Sequence, residues 1–177
     1  MASSPPRRSA PDVPARRRPI EPGDVLDDLL GLDEGLRLER YWGERSIFYN
    51  PGRAAPLGVI LASVKEHDGA NDGSALLSRE GVYRFAFGMA PGTYEQRFGA
   101  RPPRPPKGGV VALAGYDPTR LGVLMPHPVY GWMSWVQILA PTAAQYESLR
   151  PLLAESLALV RAKWERRAHN RGDGAAR

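Results

Sequence analysis

The stretch Met125-Pro126-His127-Pro128-Val129-Tyr130-Gly131-Trp132 holds the side chain whose neighbours best prepare it for chemistry. Prolines on both sides of His127 fix φ and bias the histidine toward extended backbone, which would aim an imidazole in one direction as a general base or metal ligand. The same frame serves equally well to lead a loop into a buried strand, with the ring hydrogen-bonded to backbone. A second histidine, His67, lies in Lys65-Glu66-His67-Asp68-Gly69-Ala70-Asn71-Asp72-Gly73, a carboxylate-bearing loop after an apolar run. Sites often occupy such loops. If His67 and His127 met Asp68 or Asp117, a His/carboxylate site for Mn, Fe or Zn would form. The loop lacks EF-hand spacing, and a solvated turn accounts for it as well. His169 sits in a basic stretch and reads as solvated.

Other reactive groups are scarce. The chain has no cysteine, which excludes disulfides, thiolate zinc sites, iron–sulfur clusters and thiol nucleophiles. It contains no Gly-x-Ser-x-Gly, no Walker phosphate loop and no Gly-x-Gly-x-x-Gly after a strand, and Gly108-Gly109 is too short to cradle a phosphate. No cofactor is implied. Ser134, between Trp132 and Trp135, reads as a strand residue rather than a nucleophile. The aromatic residues Tyr41, Trp42, Phe48, Tyr49, Tyr130, Trp132 and Trp135 could line an apolar pocket with a polar rim, and an ordinary core explains any single one of them. The candidate ligand-binding set is Trp42, Tyr49, His127, Tyr130 and Trp132, with His127 the candidate catalytic residue and His67, His127 and Asp117 the candidate metal ligands.

The elements that must position these residues follow from periodicity. Asp24 can cap a short helix bearing Leu26, Leu29 and Leu30, with Gly31 as its exit. Leu36–Tyr41 alternates with period two, Gly43 supplies a turn, and Ser46–Tyr49 follows, which is a hairpin pattern. Leu57–Val64 is nearly all apolar, as suits a strand covered on both faces. In Val82–Met89, Tyr83, Phe85, Phe87 and Met89 fall on one side, expected to face the core, and Val82, Arg84, Ala86 and Gly88 on the other. Thr93-x-x-Gln96 and Thr142-x-x-Gln145 have capping-box spacing. A Pro/Arg-rich connection, Arg101–Lys107, precedes a weak apolar run at Val110–Ala114 and a strand over Trp132–Leu139. Tyr146, Leu149, Leu153, Leu157, Val160 and Trp164 recur at helical spacing, with Pro151 predicting a kink or two consecutive helices. The order predicts an α+β single domain: an antiparallel sheet of about five strands, packed by a C-terminal amphipathic helix and one or two short helices.

Composition sets the outer limits. The 177 residues fit one domain, and no apolar run approaches the roughly 18 residues of a membrane span. Arg7-Arg8 and Arg16-Arg17-Arg18 lack the apolar stretch an export signal needs, so a cytoplasmic protein is expected. The net charge is +5, but residues 1–20 carry five Arg against one Asp, and residues 161–177 carry six basic against two acidic residues. Residues 21–160 are therefore mildly acidic, at −3. This argues against specific nucleic-acid recognition and leaves only weak, salt-sensitive contact through the ends. Residues 1–20 and 165–177 read as disordered basic tails around a domain at 21–164.

The segments "YWGERSIFYNPG", "LSREGVYRFAFGMAPGTYEQRFG" and "LMPHPVYGWMSWVQILAPT" together resemble a bacterial domain-of-unknown-function family, number 6194, from about Leu36 to about Val160. The recognisable positions are Trp42-Gly43, Phe48-Tyr49, Gly81-Val82-Tyr83-Arg84, Phe98-Gly99, Pro126-His127-Pro128 and Trp132. The resemblance implies no catalytic role for any of them, and the Arg/Pro insertion at 101–107 departs from the pattern. Element order is also loosely similar to the MmcQ/YjbR-like double-wing domains. The functional expectation is a module that binds a small molecule or a protein through an aromatic pocket beside a proline-framed histidine. One alternative is a small enzyme using His127, with His67 or Asp117, as general base or metal ligand; another is weak nucleic-acid binding driven by the tails.

Overall fold

The computed structural model describes residues 18–106, 109, 111, 113 and 115–174, with the side chains of 171–174 left aside. Helix α1 (Pro22–Leu30) leads into the hairpin β1 (Leu36–Tyr41) and β2 (Glu44–Tyr49), followed by β3 (Val59–Lys65), β4 (Arg84–Gly88) and helix α2 (Pro91–Phe98). A two-residue strand β5 (Met125–Pro126), β6 (Trp135–Leu139), α3 (Ala143–Glu147) and α4 (Arg150–Gly174) complete the domain. The six strands form one sheet in the order β1-β2-β3-β4-β6-β5, every pairing antiparallel. The α+β architecture is as expected, with β5 the additional strand. Pro126 lacks a backbone donor and sits where a donor is dispensable, on an edge strand.

Alternation sorts the side chains of each strand onto two unlike faces. Ile47, Val59, Leu61, Phe85, Phe87, Val136 and Ile138 join Val25, Leu26 and Leu29 of α1 and Leu153, Leu157, Val160 and Trp164 of α4 in one buried apolar cluster. A bulge between Ile47 and Phe48 shifts the β2–β3 register, so that Ile47 pairs with Ala62 while Phe48 pairs with Ile60. The extra residue, Leu61, breaks the alternation of β3, so that Val59 and Leu61 before the bulge and Ala62 and Val64 after it all face the core, while Ile60, Ser63 and Lys65 face the other side. The second face carries Glu44, Ser46, Ser63, Lys65, Arg84, Ala86 and Gln137. Loops, not helices, cover it.

Local chemistry explains the helix ends, and two caps differ from expectation. Pro22 and Pro91 occupy the first turns of α1 and α2, where a fixed φ is already helical. The cap positions therefore fall to Glu21 and Ala90, not Asp24 and Thr93, and neither makes a side-chain cap bond. Thr93 instead donates to Glu155 Oε1 on α4 at 2.6 Å. Thr142 does form the expected capping box with Gln145, and Pro151 lies in the first turn of α4 after the separate helix α3. Trp132 is not in a strand; Gly131–Met133 form a 3-10 turn, and β6 begins only at Trp135, after Ser134 in the left-handed region at φ 63°.

The domain starts earlier and its last helix ends later than composition implies. The backbone N–H of Ile20 donates to Pro141 O at 2.8 Å, and Tyr83 OH donates to Ile20 O at 2.8 Å. Residues 165–174, which read as tail, continue α4. The remaining tail assignments, 1–17 and 175–177, lie outside the described residues, as do most positions of the run at 110–114.

Candidate functional site

The loop-covered face holds a compact buried charge network. Arg84 is fully buried on β4, directly across from Lys65 on β3. Asp72 reaches both. Its Oδ1 accepts from Arg84 Nη1 at 2.8 Å, and its Oδ2 accepts from Arg84 Nη2 and, at 2.8 Å, from Lys65 Nζ. Glu44, at the start of β2, places Oε1 3.3 Å from both Arg84 Nη2 and Lys65 Nζ. Two cations and two carboxylates thus neutralise one another away from water, the condition under which buried charge is tolerated. Burial would raise the pKa of Asp72, but the hydrogen bonds and charge of Arg84, with the hydrogen bond of Lys65, outweigh it and hold the carboxyl far below the usual range.

The loop at 66–78 is shaped to deliver Asp72. Gly69 and Asp72 exchange backbone hydrogen bonds at 3.2 and 3.0 Å, and Asp68 accepts from the backbone N–H groups of Leu77 at 2.9 Å and Ser78 at 3.2 Å. Asp68 therefore goes to organising the turn, Asp72 to neutralising Arg84 and Lys65, and Glu66 to Arg45. His67 is exposed, in a separate groove with Arg79 and Glu80. Asp117 is also exposed, accepting from the backbone N–H and hydroxyl of Thr119 at 2.9 and 2.7 Å. Among the described residues no group of three His, Asp or Glu side chains could hold a metal ion, so His67, His127 and Asp117 are not brought together.

His127 is buried in the segment that caps this network. Its Nδ1 accepts from the backbone N–H of Val129 at 3.0 Å and of Tyr130 at 3.1 Å, and the backbone N–H of His127 donates to Trp135 O at 2.9 Å. The loop His127–Trp135 is closed further by Gly131 N–H to His127 O at 2.8 Å, and Pro128 O accepts from Val111 N–H at 2.7 Å. Nδ1 as acceptor leaves the proton of the neutral ring on Nε2. Burial first, then the nearby charge of Arg84, pushes the imidazole pKa well below its ordinary value. The ring is a neutral internal cap whose basic nitrogen is already engaged, which disfavours the general-base role.

Above the network lies a cleft of about 280 Å³. Its walls are Tyr41, Trp42, Phe48, Tyr130, Met133 and Trp135, and Glu44, Ser46, Ile60 and Ser63 also line it. Trp42 stacks on Tyr41 with centroids 4.8 Å apart, Tyr41 meets Phe48 edge-on at 5.8 Å, and Tyr130 meets Trp135 edge-on at 6.4 Å. Trp135 lies across its β4 partner Gly88, where an added Cβ would come within 3.2 Å of the indole Nε1. The hairpin turn places Trp42 and Gly43 at φ 50° and 75°, the type I′ pattern, so a tryptophan occupies a position that favours Asn or Gly. Trp42 is nonetheless 75% exposed.

Of the five residues proposed from sequence for ligand binding, Trp42 and Tyr130 line the cleft. Tyr49 is on the helix-covered face, edge-on to Trp164 at 6.2 Å and against Gly35, because it alternates with Phe48. His127 sits behind Tyr130, ring centroids 4.9 Å apart. Trp132 turns away in the 3-10 turn and lies under the Arg104 guanidinium at 4.8 Å. Tyr41, Phe48 and Trp135, named among the aromatics that could line a pocket but left out of the five, are walls; missed were Met133 and Ile60 in the lining and Glu44, Lys65, Asp72 and Arg84 as the polar floor and support. A signal for the last group exists: Arg84 and Lys65 are cations at the ends of strands otherwise almost entirely apolar, and such positions demand buried counter-charges.

Fold and site together define an α+β domain whose sheet carries an apolar core on one face and a charge-supported aromatic cleft on the other. The chain belongs to the family of unknown function DUF6194, whose model matches residues 20–169. No curated protein and no solved structure matches it significantly. The looser likeness to double-wing domains thus rests on element order alone. No helix among the described residues is long and apolar enough to cross a membrane.

Proposed function

We propose that this protein is a small-molecule binding module whose site is the cleft between the β1–β2 hairpin and the loop His127–Trp135. The observation that supports it best is a concave space of ligand size, about 280 Å³, walled by aromatic rings over a few polar groups at the floor. The buried network beneath makes the floor rigid, since Glu44 and Lys65 are tied through Asp72 and Arg84. Trp42, held at an unfavourable φ and exposed, supports the same reading: strained aromatic residues on a rim fit ligand contact better than packing.

Screening the full chain for ligand-induced melting shifts across a metabolite library tests this reading. A stabilising ligand is expected, and its effect should disappear in Trp42→Ala, which removes a wall, and in Ser63→Leu, which fills the floor, while both variants keep the wild-type circular dichroism spectrum. If no compound stabilises the wild type, or every hit stabilises Ser63→Leu equally, the cleft is not the site.

A further inference from the structure

The charge on the cleft lining is one-sided. Among the described residues Glu44 lines it, whereas no Lys, Arg or His does; the cations of Lys65 and Arg84 lie behind, committed to Asp72 and to Glu44 Oε1. An anionic ligand would therefore find aromatic faces and a carboxylate, and no free donor of positive charge. A cation would find the opposite. Tyr41, Trp42, Phe48, Tyr130 and Trp135 present π systems whose negative faces attract cations most strongly where water is excluded. Ser46 and Ser63, 1% and 3% exposed, are uncharged polar residues in the lining.

We propose that the cleft takes a free organic cation bearing a methylated or quaternary ammonium group, with Trp42, Tyr41, Tyr130 and Trp135 surrounding the methyl groups and Glu44 supplying the counter-charge. Methylation matters because it spreads the charge over an apolar surface, which suits aromatic walls better than a strongly hydrated primary ammonium does. Both contacts of Glu44 to the buried cations run through Oε1, so the same carboxylate can hold the network together and face the ligand with Oε2. The inference rests on the cleft being a ligand site. It adds the class of ligand.

Choline and its uncharged isostere 3,3-dimethylbutan-1-ol, titrated into the full chain with tryptophan fluorescence and calorimetry as readouts, isolate the charge. Choline should bind about tenfold more tightly than the isostere, a difference of the size a desolvated cation–π contact provides. Trp42→Ala should lose about tenfold in choline affinity, Trp42→Phe should recover part of it, and exposure of this side chain protects folding in both variants. Glu44→Gln should weaken choline more than the isostere, so that the preference for choline shrinks. Equal or tighter binding of the isostere overturns the cation proposal while leaving the cleft as an apolar ligand site. Absence of binding by either compound also overturns it, and the library screen then decides on the cleft separately. A trimethyllysine-bearing peptide binding tenfold more tightly than choline would replace the free compound with a protein side chain, and so overturn the proposal as stated.

Discussion

Replacing Asp72 with Asn would remove one of two counter-charges from Arg84 and Lys65 while keeping the shape of the side chain. Asp72 makes three hydrogen-bonded contacts to these cations, and Arg84 is fully buried. Removing one partner of a buried ion pair costs about 3–5 kcal/mol, because the remaining charge stays desolvated. Glu44 is still 3.3 Å from each cation and compensates in part, which places the expected loss near the lower end, about 3 kcal/mol. At about 2–4 °C per kcal/mol for a domain of this size, Tm at pH 7 should fall by about 6–12 °C. Urea unfolding followed by tryptophan fluorescence would measure the free energy directly. The acid limb gives an independent check. Because the folded-state pKa of Asp72 is depressed, its contribution is present above the unfolded carboxylate value of about 3.9 and is lost as pH falls below it. Wild type should show that loss and Asp72→Asn should lack it. The double variant Asp72→Asn, Arg84→Met should be more stable than Asp72→Asn alone, since the orphaned cation is gone. A loss below about 1 kcal/mol in Asp72→Asn, with an unchanged acid limb, would show the network to be solvated and refute the reasoning.

Further expectations concern single residues. Trp42→Asn exchanges a strained φ of 50° for a residue suited to a type I′ turn, gaining about 1 kcal/mol against roughly 0.5 kcal/mol of lost stacking on Tyr41, so Tm should stay level or rise while cleft binding falls. His127→Ala leaves the N–H groups of Val129 and Tyr130 without their acceptor and should cost about 2–3 kcal/mol in chemical denaturation, with His127→Asn recovering part of it. The folded His127 resists protonation, so its contribution is present above about pH 6.5 and declines as pH falls below it, a window distinct from that of Asp72; a denaturation series between pH 7.5 and 5 should lose its slope in His127→Asn. Arg150→Ala breaks the bidentate pair with Asp28 at 2.6 Å, but both side chains are about a third exposed, so the loss should be only about 1 kcal/mol and should shrink in high salt.

Much of the architecture was legible because it follows from local periodicity. The alternation in Leu36–Tyr41 and Val82–Met89, the unbroken apolar run into β3 and the helical spacing from Tyr146 to Trp164 each fix an element whatever its neighbours do. The errors were local competitions: Pro22 and Pro91 start their helices ahead of Asp24 and Thr93, and the turn at Gly131–Met133 takes Trp132 out of β6.

The site was less legible, since it is built from positions far apart in the chain. Sequence alone determined that Arg84 lies opposite Phe85 and Phe87 in facing, that Trp42-Gly43 forms a turn, and that His127 is held between prolines. Only the tertiary structure decided that Arg84 and Lys65 share Asp72 and Glu44, that Trp42 and Trp135 stand over one cleft while Trp132 turns away, and that His127 spends its acceptor on its own loop. The physical reason is that periodicity assigns a side chain to a face, whereas its partner there depends on strand order and on loops whose conformations are set by long-range hydrogen bonds.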